Sequence, residues 1–261
     1  MSVISYAGCS SRLAHRLLGT LGALTVLTVM AGCAGPDPAL VERQARFARV
    51  VAHPERSDAD RTNDVRRKPA QMLDFIGVRQ GIVAVDLVAG GGYTTELLAR
   101  AVHPGGRVYA QVPRAPSAGL TARLAKPSLI GVRVVAQPLE SPVPAEVANG
   151  GVDLVTLMFN YHDLGHMGVD RERMNRAVFA ALRPGGLYVI ADHAGRAGTG
   201  ISESGTLHRV EEAFVRAEVE AAGFRLLESA SFLRNPNDPR DKETPDPAQP
   251  KDEFVLKFIR P

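Results

Sequence analysis

An apolar run from Ile82 to Leu87, broken only by Asp86, passes through Val88-Ala89 into three consecutive glycines, Gly90, Gly91 and Gly92. A helical stretch from Thr94 to Ala101 follows. Such a near-continuous run marks a strand buried on both faces, as found in parallel sheets covered by helices. The alternation continues along the chain. Strands are expected at Arg107 to Val112, Val132 to Val135, Asp153 to Phe159 and Leu187 to Ala191, with late ones near Phe224 to Phe232 and Glu253 to Arg260. Between them, Pro69 to Ile76 reads as a short helix stopped by Gly77. Arg171 to Leu182 places Met174, Ala177, Val178 and Ala181 on one helical face, ahead of a turn at Arg183-Pro184-Gly185-Gly186. Val210, Ala213, Phe214 and Ala217 repeat that spacing on a later helix ended by Gly223, with His208 near its start. The pattern predicts a single doubly wound α/β domain.

The segment Val85-Asp86-Leu87-Val88-Ala89-Gly90-Gly91-Gly92 resembles motif I of the class I S-adenosylmethionine (SAM)-dependent methyltransferases, in the required strand-to-helix context. The turn at Pro104-Gly105-Gly106-Arg107-Val108-Tyr109 and the later Leu182-Arg183-Pro184-Gly185-Gly186 follow in that family's order. A narrower resemblance, to exported methyltransferase-like proteins, rests on five segments. They are Asn160-Tyr161-His162-Asp163, Asp192-His193, His208-Arg209-Val210, Asn235-Pro236-Asn237-Asp238 and Phe254-Val255-Leu256-Lys257-Phe258. The resemblance implies a Rossmann-like seven-stranded sheet with its last strand antiparallel, and SAM as cofactor. Two positions depart from the family pattern. Val88 stands where motif I opens with glycine, and no acid occurs between Glu96 and Glu140, where a strand-end carboxylate would hold the ribose.

The N-terminus carries a different signal. Arg12 and Arg16 precede an uncharged apolar run, Leu17 to Met30, and Ala31-Gly32-Cys33 follows. That run is too short to span a bilayer core, which needs about 20 residues, but it suits the apolar core of a signal peptide. Its end resembles a bacterial lipobox. The expected organisation is a lipoprotein signal peptide at 1–32, lipid attachment at Cys33, a tether over 33–49 and a methyltransferase-like domain over 50–261. Export and a lipid anchor in the cell envelope, most simply facing the periplasm from the outer membrane, would follow. The only other cysteine, Cys9, lies within the removed segment, so the mature chain has no disulfide. Of the net charge of +3, two positive charges belong to that segment. The nearly neutral remainder has no basic run interleaved with aromatics, so nucleic acid is not an expected partner.

Candidate site residues cluster at the ends of strands. Asp86, Gly90, Gly91 and Gly92 are expected to form the cofactor loop, because ligands in this fold bind beyond the carboxyl ends of the strands. Gln111 is the candidate ribose acceptor in place of the missing acid, and Asn160 a further cofactor contact. His162, with an ordinary pKa near neutrality, is the candidate general base, assisted by Asp163 and His193. A dinucleotide is the rival ligand, with Arg114 near a 2′-phosphate, but Thr95 stands where a third glycine would be needed. A metal trio of His162, His166 and His193 can be drawn, but Gly165 interrupts it and no metal is expected. The partner is a small-molecule or envelope acceptor of unknown identity. The alternatives to methyl transfer are a non-catalytic binding module on the same fold and a hydrolase or lyase built on His162 and His193.

Overall fold

The computed structural model describes residues 37–261, so the targeting segment and Cys33 lie outside the described residues. Seven strands form one sheet: β1 (Val83–Leu87), β2 (Arg107–Val112), β3 (Val132–Ala136), β4 (Val152–Met158), β5 (Leu182–His193), β6 (Arg225–Ala230) and β7 (Glu253–Ile259). Their order is β3-β2-β1-β4-β5-β7-β6. β1 to β5 run parallel, and β7 is antiparallel to both of its neighbours. β1 is an interior strand, between β2 and β4, which explains its nearly unbroken apolar sequence.

Among the described residues, eight α-helices flank the sheet: α1 (Pro38–Val51), α2 (Asp58–Arg67), α3 (Pro69–Ile76), α4 (Tyr93–Val102), α5 (Ala118–Leu124), α6 (Asp163–His166), α7 (Arg171–Ala181) and α8 (Glu212–Ala221). On one face, Val85, Leu87, Val155 and Leu157 pack with Met174 and Val178 of α7 and Val215 and Val219 of α8. On the other, Ala84, Val108, Leu154 and Val189 pack with Phe47 of α1, Leu73 and Ile76 of α3, and Leu97 and Leu98 of α4.

Three expectations change. The stretch read as a tether through Arg49 is, from Pro38 onward, a helix of the domain. Burial of Phe47 is worth about 1.5–3 kcal/mol. Arg46 also donates to the carbonyls of Val78, at 2.7 Å, and Ala101, at 2.9 Å. β5 begins at Leu182 rather than Leu187, because Leu182 pairs with Val152 and the ladder resumes at Leu154 and Leu187 across an irregularity. The helix read from Val210 starts at Glu212. Val210 is held beside Ala194 in an isolated bridge, so the buried face of α8 is Val215 and Val219, while Ala213 and Ala217 are exposed.

The strand order reverses between β1, which leads on to β2, and β4. The carboxyl edge there is the switch point at which doubly wound sheets bind ligands.

Candidate functional site

Gly90, Gly91 and Gly92 turn the chain from β1 into α4. Gly90 and Gly91 are exposed, and a β-carbon on Gly91 would meet nothing within 4 Å, so there is room above the turn. Their amides meet no protein acceptor among the described residues, and they precede α4, whose N-terminus favours negative charge. Gly92 is buried at φ +81°, and a β-carbon there would come within 2.7 Å of Leu120 Cδ1. Only glycine fits that position. From the α5 side, Ser117 Oγ donates to the Gly90 carbonyl at 3.0 Å and Arg123 Nε to that of Gly91 at 2.7 Å. Arg123 is itself clamped by both oxygens of Asp60, at 2.7 and 2.8 Å.

Two residues expected to touch the cofactor lie beneath this loop instead. Asp86 is buried, accepting from Thr95 Oγ1 at 2.6 Å and Thr156 Oγ1 at 2.9 Å. It organises the turn and does not face a ligand. Gln111 is fully buried with both ends of its amide engaged. Oε1 accepts from Val88 N at 2.9 Å, and Nε2 donates to the Gln137 carbonyl at 2.8 Å. It ties β1 to β2 and β3 and offers nothing to a ribose. Val112, the last residue of β2, is buried in an apolar cluster with Ala89, Ala110 and Leu120.

Burial raises the Asp86 pKa against the two threonine hydrogen bonds, to about 6 from an ordinary 3.8. The folded state therefore binds the proton more tightly than the unfolded chain. This contribution to stability is full below pH 4 and is lost as pH rises through 6, a change on the order of 3 kcal/mol. Asp86→Asn has no such ionisation. Urea melts are expected to show the variant gaining on the wild type between pH 4.5 and 7.5, whereas a pH-independent difference would mean that the fold does not raise the Asp86 pKa.

Arg67, at the end of α2, was not anticipated. Its guanidinium stacks 4.1 Å from the Phe159 ring centroid and 5.4 Å from that of Tyr93, the residue that starts α4. Burial and the neighbouring Arg66 lower its pKa to about 10, its Nε has no partner, and no carboxylate pairs with it among the described residues. A desolvated cation without a counter-ion, stacked on the residue that follows the glycine turn, suits an anionic ligand group. Its aromatic neighbours come from distant parts of the sequence, and no local pattern marks it.

The polar cluster continues from the end of β4. Phe159 adopts φ +62°, and Asn160 donates to the Met158 carbonyl at 2.8 Å. Tyr161 turns into the core, where its hydroxyl meets Glu218 at 2.7 Å and Asn175 at 3.1 Å, so it is structural. His162, Asp163 and His193 do converge. Asp192 at the end of β5 accepts from His162 N at 2.8 Å and His193 N at 2.7 Å, and sits 2.6 Å from His162 Nδ1. The other ring nitrogen of His162, Nε2, is 3.2 Å from Asp163 Oδ1. His193 Nδ1 is 3.0 Å from Glu253, too poorly aligned to hydrogen-bond, and that carboxylate also takes Arg66 at 2.5 Å. His208 joins them, with Nδ1 3.3 Å from Asp163 Oδ1 and its ring 5.6 Å from that of His162. In the sequence His208 stands only near the start of a helix, and nothing local marks this position.

The general-base reading of His162 needs correction. Burial pulls its pKa down, but hydrogen bonds and charge from Asp163 and Asp192 outweigh this and hold it up at about 9. A ring that is already protonated at neutral pH cannot accept a proton. Burial lowers the His193 pKa, against Glu253 and Asp192, and keeps that ring neutral.

Besides Phe159, Lys68, Val88, His208 and Arg240 are the non-glycine residues with positive φ among the described residues. Lys68 follows Arg67, Val88 opens the glycine turn and His208 enters the histidine cluster. Left-handed backbone at a β-branched residue such as Val88 costs on the order of 1–3 kcal/mol, and such strain concentrates at functional edges.

No protein-family model matches the sequence, and no curated protein matches it. Solved structures do resemble the fold. A SAM-dependent methyltransferase from Aquifex aeolicus superposes with a TM-score of 0.56 at 16% identity, covering 84% of this chain and 98% of that one. The cyclase SpnF gives 0.55 at 16% identity over 78% and 82%. The 1,6-didemethyltoxoflavin-N1-methyltransferase of Burkholderia thailandensis, solved with bound S-adenosylhomocysteine, gives 0.50 at 19% over 87% and 91%. The fold is the Rossmann-like, seven-stranded one of these methyltransferases.

Proposed function

We propose that this chain is a SAM-dependent methyltransferase acting on a small-molecule or envelope acceptor. The reading rests on two features at the carboxyl edge of the sheet: the exposed turn at Gly90 and Gly91, and the unpaired Arg67 guanidinium over Tyr93, the residue that follows that turn. These residues fit the amino-acid end of SAM: the cation and the free glycine amides suit its carboxylate, and the missing β-carbons allow close approach. SAM supplies an electrophilic methyl group on a sulfonium. The chain's own contribution is binding, orientation and proton removal. Asp192 fixes the His162 ring, while Asp163 and His193 are the groups available to orient an acceptor and take its proton.

A second reading has its own support. Gln111 is saturated and Val112 buried, so the usual strand-end hold on a ribose is missing. That favours a different anionic ligand on the same turn, in a binding module without methyl transfer. The neighbour SpnF, named a cyclase, illustrates that this fold alone does not fix the chemistry.

Export and acylation at Cys33 belong to the proposal, supported by the charged, apolar and small-residue segments that precede it. One experiment addresses both parts: mass spectrometry of the chain purified from bacterial membranes. The expected species begins at Cys33, carries acyl mass and retains SAM or its demethylated product. An unacylated N-terminus elsewhere in the sequence would remove the anchor. A different retained anion would select the binding module.

A further inference from the structure

His162, His166, His193 and His208 lie together at the carboxyl edge of β4 and β5, with rings 5.4 to 5.7 Å apart along the series. Asp163 Oδ1 is at their centre, 3.2 Å from His162 Nε2, 3.3 Å from His208 Nδ1 and 4.0 Å from His166 Nε2. The first two are hydrogen-bond contacts, but longer than the roughly 2.7–2.9 Å typical of a charge-assisted pair. They match another geometry: two donors each about 2.0–2.1 Å from a tetrahedral zinc ion stand about 3.3 Å apart.

We propose that His162 Nε2, the Asp163 carboxylate and His208 form a three-ligand site for a divalent transition-metal ion of the zinc class. The ligand atoms of these three residues all lie within 4.8 Å of one another. This is not the trio suggested by sequence, because His193 faces Glu253 and His166 Nε2 stands off at 4.0 Å from Asp163 Oδ1.

Two further features support the assignment. The Asp192 carboxylate, 2.6 Å from His162 Nδ1, fixes the ring so that Nε2 points at the proposed site, the carboxylate–histidine arrangement typical of metal-bound imidazoles. His208 is held at φ +51°, between Val210 N bonded to the His193 carbonyl at 3.1 Å and the buried Arg209 side chain. A histidine serving only to pack has no need of that backbone strain.

The side chains of Asp163 and His208 are 28% and 38% exposed, so the fourth coordination position opens to solvent. Three protein ligands and one open position make the catalytic kind of zinc site, able to bind water or an acceptor oxygen and lower its pKa. The inference does not depend on methyl transfer and is tested without SAM.

The test is titration of chelator-treated chain with Zn²⁺, and separately with Co²⁺, at neutral pH, followed by calorimetry and visible absorption. One equivalent per chain and an intense, tetrahedral-type Co²⁺ spectrum are expected. His208→Ala and Asp163→Asn should each weaken binding at least tenfold, since losing even a residue that only orients a ligand costs about 10–100-fold. His53→Ala, remote from the cluster, should change nothing. Absence of stoichiometric binding in the wild type overturns the proposal whatever the variants do. So does wild-type affinity in a folded His208→Ala protein.

Discussion

Arg209→Ala is expected to destabilise the fold by about 3–5 kcal/mol, the usual consequence of removing one partner from a buried ion pair. Arg209 is completely buried, and its guanidinium makes five hydrogen bonds. Two go to the Asp238 carboxylate, at 2.8 and 3.2 Å, two to the Lys242 carbonyl and one to that of Ala194. Asp238 is 5% exposed and also accepts from Asp252 N and Arg240 N. Truncating the arginine therefore strands a buried carboxylate and two carbonyls and leaves a cavity. At about 2–4 °C per kcal/mol for a domain of this size, the melting temperature should fall on the order of 10 °C. Arg209→Met combined with Asp238→Asn should recover part of the loss, because no bare charge remains. A melt within about 2 °C of wild type for Arg209→Ala would mean that the pair does not hold the segment carrying His208.

Arg67→Ala should do the opposite: leave stability unchanged or slightly improved while removing ligand affinity. The wild-type guanidinium is desolvated, with an unsatisfied Nε and no counter-ion, so its loss strands no protein partner. The ring contacts with Phe159 and Tyr93 that are given up are each worth about 0.5–2 kcal/mol, and relief of the uncompensated burial of the cation offsets them. A bound carboxylate, by contrast, would lose a charge-assisted partner in a partly buried setting, worth about 2–3 kcal/mol or roughly 30- to 150-fold in affinity. The pairing of an intact melt with collapsed binding separates a ligand-binding cation from a structural one, which would lower both together.

The sheet was legible because its information is local. A strand buried on both faces carries its own apolar run, and Gly92 marks a turn that tolerates no side chain. The convergence of Asp163, His193 and the His162 ring also followed from their places at neighbouring strand ends. What the sequence hid depends on register and on distant partners. Gln111 looked like a strand-end acceptor, but its pairing with Val135 and its bond to Val88 N place it under the loop. Asp86 is drawn inward by Thr95 and Thr156, which are 9 and 70 residues away. Arg67 acquires its meaning only from Phe159 and Tyr93. The role of His208 depends on a loop anchored through Arg209 to Asp238, 29 residues further on. Both of those segments were visible as motifs, but nothing in either shows that they bind each other.

The turn at Gly90 and Gly91, together with Arg67 over Tyr93, is proposed to bind the amino-acid end of SAM. Calorimetric titration of S-adenosylhomocysteine into the purified domain at neutral pH, wild type beside Arg67→Ala, tests it most directly. Saturable one-to-one binding in the wild type, weakened at least thirtyfold in a variant that melts normally, is the expected result. No saturable binding to the wild type, or equal binding to both proteins, would contradict the account.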